Sequence, residues 1–414
     1  MKLKKSAFTK LINFIIFIST IILFFIFEKE EMYQNLLGDS EGYSAVLLNP
    51  TLLLLNILLI IYCIYGRWSG NKLFLLLFIL EIYNMFIASI WGPKENASVL
   101  KTVIFVMRVI MPFLLCHFMY NATLRISKRF ILVTLGVTIA LLALFYMQAF
   151  THIMRYLLLE DYRGGGTYLF LMMLPFAMLF PNKWIRIFYI FAMLLIILSS
   201  MKRGAALSAL LGLFAYYIVN TIVNGKGLTT KKIIVIVSGL FVIIVGFIVF
   251  DTMTGGIIIE RFANISEDGG SNRNVIYPVV ISMIEESDVF NIMLGHGWNS
   301  VLADSPFQIS AHNDYLELLY DCGIFSFFLF IVLVLYSWRY AFLLIKAKKS
   351  TAAAFSACCV IFLINSMVSH IHLYTWYFSA ICLFWGYCIG IERKEWPNKE
   401  LLTRESLVES SSFR

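Results

Sequence analysis

A bundle of about twelve membrane-spanning α-helices is the fold class this sequence predicts, and three observations carry it. Hydrophobic residues make up 60% of the 414-residue chain and charged residues only 14%, against roughly 45–50% and 25% in soluble domains. The mean hydropathy is +0.83. Apolar runs recur along the chain at close to the roughly 20 residues that a helix needs to cross hydrocarbon. A chain of this length has room for two or three soluble domains, but this composition excludes them.

The runs fall at 11–27, 44–65, 73–91, 102–120, 130–150, 167–180, 184–200, 204–220, 232–250, 313–338, 352–369 and 374–390. Runs 167–180 and 184–200 are short, and Pro181-Asn182-Lys183 between them reads as a tight hairpin. The first run follows Met1-Lys2-Leu3-Lys4-Lys5 in the manner of a signal peptide. Glu28-Lys29-Glu30-Glu31 then follows with no small-residue cleavage site, so it reads as a retained anchor. The organisation expected is spans one to nine in 1–250, a large outer loop at 251–311, spans ten to twelve in 312–390, and a cytoplasmic tail at 391–414. Loops this long are usually functional or disordered. Val275–Ile284 is apolar enough to form a short helix, which predicts an ordered cap.

The formal net charge of +8 would suit a nucleic-acid partner, but the charges are sorted by side. With the N-terminus cytoplasmic, 23 of the 33 Lys and Arg lie in inner segments, 9 in outer segments, and Arg108 within a span. Acidic residues show the mirror image, with 16 of 25 in outer segments. This is the positive-inside bias of a multi-pass protein with both termini in the cytoplasm. The basic excess is therefore a topology signal; the partner is the bilayer, and nucleic acid drops out. Trp68, Trp91, Trp184, Trp338 and Trp376 sit at expected span ends, where amphipathic rings favour the interface. The seven cysteines all fall within spans without a C-x-x-C pair, and read as small apolar residues.

Polar, chemically capable residues collect at the outer face. Arg163 opens Arg-Gly-Gly-Gly before span six, Arg203 lies in the turn between spans seven and eight, and Arg273 lies in the large loop. His312-Asn313-Asp314 stands where that loop enters span ten. Guanidinium groups suit phosphate because a planar fork donates two hydrogen bonds and never loses its charge. Glycines beside Arg163 let backbone N–H groups approach an anion. The bland alternative for each arginine is a lipid-headgroup contact, and for His312 an interfacial imidazole with no part in proton transfer. Histidine is also the usual general base near neutral pH.

Asp314, Glu317 and Asp321 share one helical face and are candidates to orient His312 or an arginine, or else mark a solvated helix end. Glu81 and Arg108 are the deepest charges and are expected to form an ion pair between spans three and four. His370 and His372 end span eleven on the outer side and are expected at the membrane interface, with a second site as the alternative.

Together these residues resemble a known signature. Ala311-His312-Asn313-Asp314-Tyr315-Leu316 through Gly323-Ile324 is similar to the H-N-x-y-L…G-I element of the O-antigen ligase and O-antigen polymerase superfamily. Leu294-Gly295-His296-Gly297-Trp298 resembles its upstream G-x-G element. Ser199-Ser200-Met201-Lys202-Arg203-Gly204-Ala205 resembles its S-x-S-R-G-A segment, and Arg163-Gly164-Gly165 its R-x-x-G segment. The pattern spans about 160–330; Lys202 departs from it, as does the absence of a tryptophan near Arg273.

The resemblance implies a C-type (GT-C-like) glycosyltransferase of the bacterial cytoplasmic membrane with its active site on the outer face. Such enzymes move a glycan from an undecaprenyl-diphosphate carrier to an acceptor sugar hydroxyl. Carried over, His312 activates that hydroxyl, Arg203 acts with it in catalysis, and Arg163, Arg203 and Arg273 hold the departing diphosphate. Asn313, Asp314, Glu317 and Asp321 would support them. No nucleotide or metal cofactor is implied. A chain-length regulator and a flippase are the protein partners such an enzyme would work beside. Polymerase is the first reading, and ligase to lipid A-core or another envelope acceptor the second. A flippase or other transporter is a third, of another class, although its polar groups should lie near mid-membrane. Asp39-Ser40-Glu41 is the weak carboxylate candidate for a metal-dependent transferase.

Overall fold

The computed structural model describes residues 11–20, 22–23, 43–91, 99–156, 167–199, 202–225, 245, 248, 252 and 269–395, and every regular element among them is helical. The helices are α1 Leu11–Thr20, α2 Tyr43–Tyr65, α3 Lys72–Trp91, α4 Val99–Arg125, α5 Lys128–Tyr156, α6 Thr167–Ala177, α7 Lys183–Ser199 and α8 Arg203–Val223. After them come α9 Gly269–Glu285, α10 Val289–Leu294, α11 Ser300–Asp304, α12 Asp314–Lys346, α13 Ala352–Val368 and α14 Thr375–Glu395. Each apolar run is met by one helix, except 232–250, which lies outside the described residues apart from 245 and 248. α3, α8, α12 and the part of α4 from Phe105 are long and apolar enough to cross a membrane. The chain is thus an all-helical, multi-pass membrane protein.

Small residues decide how closely the helices approach, as they do where lipid leaves no hydrophobic drive between spans. α14 is buried along nearly its whole length and lies chiefly on α4. At Gly390 an added Cβ would come within 2.8 Å of Tyr120 O, so glycine sets that spacing. α8 lies on α13 in the same way, with Gly212 against Ile361 and Gly204 against Val368. α12 packs between α3 and α13.

Asn182 caps α7, accepting from Trp184 N at 2.9 Å. This explains why runs 167–180 and 184–200 form two helices across the Pro181 turn. The expected loop helix is present, because α9 covers Val275–Ile284. With α11 and the start of α12 it encloses a small core of Ile276, Val280, Val301, Ala311 and Tyr320, so this part of the loop has packing of its own.

One expectation about placement needs correction. Trp68, Trp91, Trp184 and Trp338 are exposed, as interfacial rings should be, but Trp376 is 4% exposed and lies 6.0 Å from the Arg108 guanidinium. Its position at a helix start suggested an interface; the surrounding helices enclose it. The cysteines are free thiols, and all except half-buried Cys63 are buried.

Candidate functional site

The site is built on the first turns of α12. Asn313 Oδ1 accepts from Tyr315 N at 2.9 Å and Leu316 N at 3.3 Å, closing donors that a helix start leaves open. The residue before it, His312, has φ 53°. That left-handed backbone is uncommon for a side chain of this size and is a form of strain that concentrates at functional sites.

Asp314, Glu317 and Asp321 are all buried, so the solvated helix end is overturned. Each carboxylate instead holds a different loop. Asp314 Oδ2 accepts from Ile371 N at 3.0 Å and from His372 N at 3.1 Å. Glu317 Oε1 accepts from His312 N at 2.9 Å and stands 3.6 Å from His370 Nδ1. Asp321 accepts from Asn299 N at 2.7 Å and Val301 N at 2.9 Å. Of the three, Glu317 is the one that grips His312; Asp314 and Asp321 fix the loops on either side.

The two glycine elements form one unit. Gly323 interrupts α12 at φ 77° and ψ 178°, and a Cβ there would come within 2.7 Å of Gly295 N. His296 N donates to Tyr320 O at 3.0 Å, and Gly297 N to Asp321 O at 2.9 Å. Backbone therefore lies directly on backbone, a contact that only glycine allows, and the G-x-G segment is seated on the helix that carries His312.

Cations reach the site from two further elements. Arg273 of α9 donates through Nη2 to Val368 O at 2.5 Å, and Tyr277 OH donates to Met367 O at 3.0 Å. Arg203 opens α8, and its neighbour Gly204 is seated on the Val368 side chain. Arg273 is thus drawn to the end of α13, two residues from His370, and the start of α8, which Arg203 opens, lies against the same end through Gly204. Lys202 precedes α8, with Nζ 4.5 Å from the Tyr168 ring centroid. Arg163 lies outside the described residues, as do Asp39 and Glu41.

Burial pushes His312 down from its ordinary range to about 3, helped by positive charge on His370, Arg273 and Lys202. Burial likewise lowers His370 to about 4; Asp314 opposes the shift, while Lys202 and Arg273 add to it. Both rings are therefore uncharged at neutral pH, the state in which an imidazole can accept a proton.

Two further expectations are corrected. His370 and His372 are buried, 8% and 1% exposed, and are not interfacial. Glu81 meets His372, with Oε1 3.2 Å from Nε2, while Arg108 faces Trp376. Rise along each helix placed Glu81 and Arg108 within side-chain reach, but the turn after α13 brings His372 nearer. Sequence reasoning passed over His370 and Lys202 as neighbours of His312. Proximity in sequence held no signal for His370, which lies on a different turn. Lys202 was visible beside Arg203 but was taken only as a departure from a motif. Among the described residues, no group of three or more His, Cys, Asp or Glu is arranged to hold a metal ion.

Residues 188–331 match the family described as O-antigen ligase. The matched segment runs from α7 into α12 and contains Arg203, Arg273 and His312. It supports the O-antigen ligase and polymerase superfamily, and with it a glycosyltransferase-type function on lipid-linked glycan and acceptor in a membrane. The ligase-type segment leaves Glu81, His370 and His372 outside its bounds. No curated protein matches the chain.

Proposed function

We propose that the chain is a GT-C-like glycosyltransferase at the outer face of the bacterial cytoplasmic membrane, with both termini inside. It polymerises undecaprenyl-diphosphate-linked repeat units into O-antigen or capsular polysaccharide without a metal. One observation carries the reading: half-buried His312 at the head of α12, its backbone gripped by Glu317 and its ring stacked on His370, stands inside the ligase-type segment. In the reaction His312 takes the proton of an acceptor sugar hydroxyl as that oxygen bonds to the donor's anomeric carbon. The bond from that carbon to the diphosphate breaks, and the negative charge passes to the leaving group. Fixed cations at a site shielded from water stabilise that charge as it develops, the role assigned to Arg163, Arg203 and Arg273. Proton transfer by a placed histidine typically contributes about 10²–10⁴-fold. The loop 251–311 serves as a cap over the site, and a flippase and chain-length regulator work beside the enzyme.

A ligase that moves finished polymer to an envelope acceptor is the second reading, supported by the description of the matched family. A transporter fits less well, because its polar site belongs near mid-membrane whereas His312 stands at a helix start.

His312→Ala tests the reading directly. Cells should lose polymer while the amount of protein in membranes is unchanged; undiminished polymer length would remove His312 from catalysis. Chelator should leave turnover in washed membranes intact, and a loss restored by Mg²⁺ or Mn²⁺ would replace the metal-free mechanism. Supplying lipid-linked repeat units alone separates the two acceptors: long carrier-bound chains mean polymerase, and a requirement for an envelope acceptor means ligase.

A further inference from the structure

His370 lies outside the ligase-type segment, yet its ring is the middle one of three. The His312 and His370 rings stack at 4.7 Å with 22° between their planes, and His370 stacks on Tyr374 at 4.3 Å and 6°. The contact is face to face, so neither histidine presents a ring nitrogen to the other, and a direct proton relay between them is not the arrangement. The His312 backbone is tied instead to Glu317 Oε1, which accepts its N–H at 2.9 Å, and the His370 ring lies beside the same carboxyl with Nδ1 at 3.6 Å. The backbone around His370 is held on both sides, by Ser369 N to Asn365 O at 2.7 Å and by Ile371 N to Asp314 at 3.0 Å.

We propose that His370 is a positioning residue for His312: its ring, stacked on the imidazole, holds the plane of the base from one face. The inference rests on the base reading of His312. The titratable groups facing the pair are Glu317 and Asp314 from α12, Lys202 from the turn before α8, and Arg273 from α9. His370 keeps the ring of His312 aligned for the acceptor hydroxyl, and its absence costs that alignment.

The test uses the full-length protein in proteoliposomes with a lipid-linked glycan donor, recording kcat, KM and the pH–rate profile. His370→Ala removes ring and titration together. Its kcat should fall about tenfold to a hundredfold with KM changed less than about twofold, the scale at which a misplaced group costs rate. His370→Phe keeps a flat ring but not the second imidazole. It should lose less rate than His370→Ala, because the flat ring against His312 is kept. Wild-type kcat in His370→Ala overturns the proposal. So does an equal loss in both variants, the mark of a merely structural residue. His312→Ala run in parallel keeps the two claims apart: if it stays active, the base reading has failed, whatever His370 does.

Discussion

Glu81 Oε1 and His372 Nε2 stand 3.2 Å apart, each side chain only 1% exposed. The pair joins the middle of α3 to the turn before α14. Asn84 Nδ2 adds a contact to His372 Nε2 at 3.4 Å, and Ser326 Oγ donates to Asn84 Oδ1 at 2.6 Å. Because His372 N also donates to Asp314, this buried network underlies the loop that presents His370. Glu81→Ala should therefore lower the melting temperature in detergent, at the cost of about 1–3 kcal/mol typical of an abandoned buried polar group. Glu81→Gln, which keeps an acceptor, should lose less. A Glu81→Ala protein that melts like wild type would show that the pair contributes nothing to stability.

Gly323 is the second place where a small change should be costly. At φ 77° and ψ 178° a side chain would cost about 1–3 kcal/mol, and Met293 and Gly295 leave no room for a Cβ. Gly323→Ala should lower the protein recovered from membranes. At the exposed Gly225, with φ 64° and open space around it, the same change should cost only the backbone strain. Equal recovery of both variants would contradict close packing at the kink.

Replacement of arginine by lysine separates charge from geometry. If Arg203 and Arg273 clasp a diphosphate, Arg203→Lys and Arg273→Lys should each fall at least about tenfold in kcat/KM, since an ammonium lacks the bidentate fork. Arg273→Lys should also loosen α9 from Val368, and limited proteolysis of the outer loop would reveal it. Wild-type turnover in both variants would return the arginines to a lipid-headgroup role.

The lowered pKa values of His312 and His370 set a direction for stability with pH. Unfolded, both titrate near 6.5, whereas folded they hold off protonation to about 3 and about 4. As pH falls below about 6.5 the unfolded state binds protons that the native state refuses, so stability is full above that pH and is lost on the way down. Melting temperature should drop between pH 7.5 and pH 4.5, and drop less in a His312→Gln, His370→Gln double variant. Identical slopes would mean that other groups carry the pH response.

Much of the architecture is legible without coordinates, and the reason is local. Apolar runs long enough to cross hydrocarbon, a Pro-Asn-Lys turn and an Asn after His312 each act within a few residues, and helices meet those runs wherever residues are described. The candidate base, Arg203, Arg273 and the two glycine elements are visible in the same way, as short patterns. Burial and partnership are not local. Trp376 looks interfacial by position until α4 and its neighbours enclose it; Glu81 has Arg108 within nominal reach until the turn after α13 delivers His372.

The sequence by itself pointed to a multi-pass helical membrane protein, and residues 188–331 of it match the O-antigen ligase family. Which groups touch was decided only by the tertiary structure: Glu317 as the grip on His312, His370 stacked against it, and Gly295 seated on Gly323. The physical reason is that hydropathy, capping and backbone preference are read one turn at a time. A carboxylate chooses its partner by distance in space, and that distance is set by how α3, α12, α13 and α14 pack.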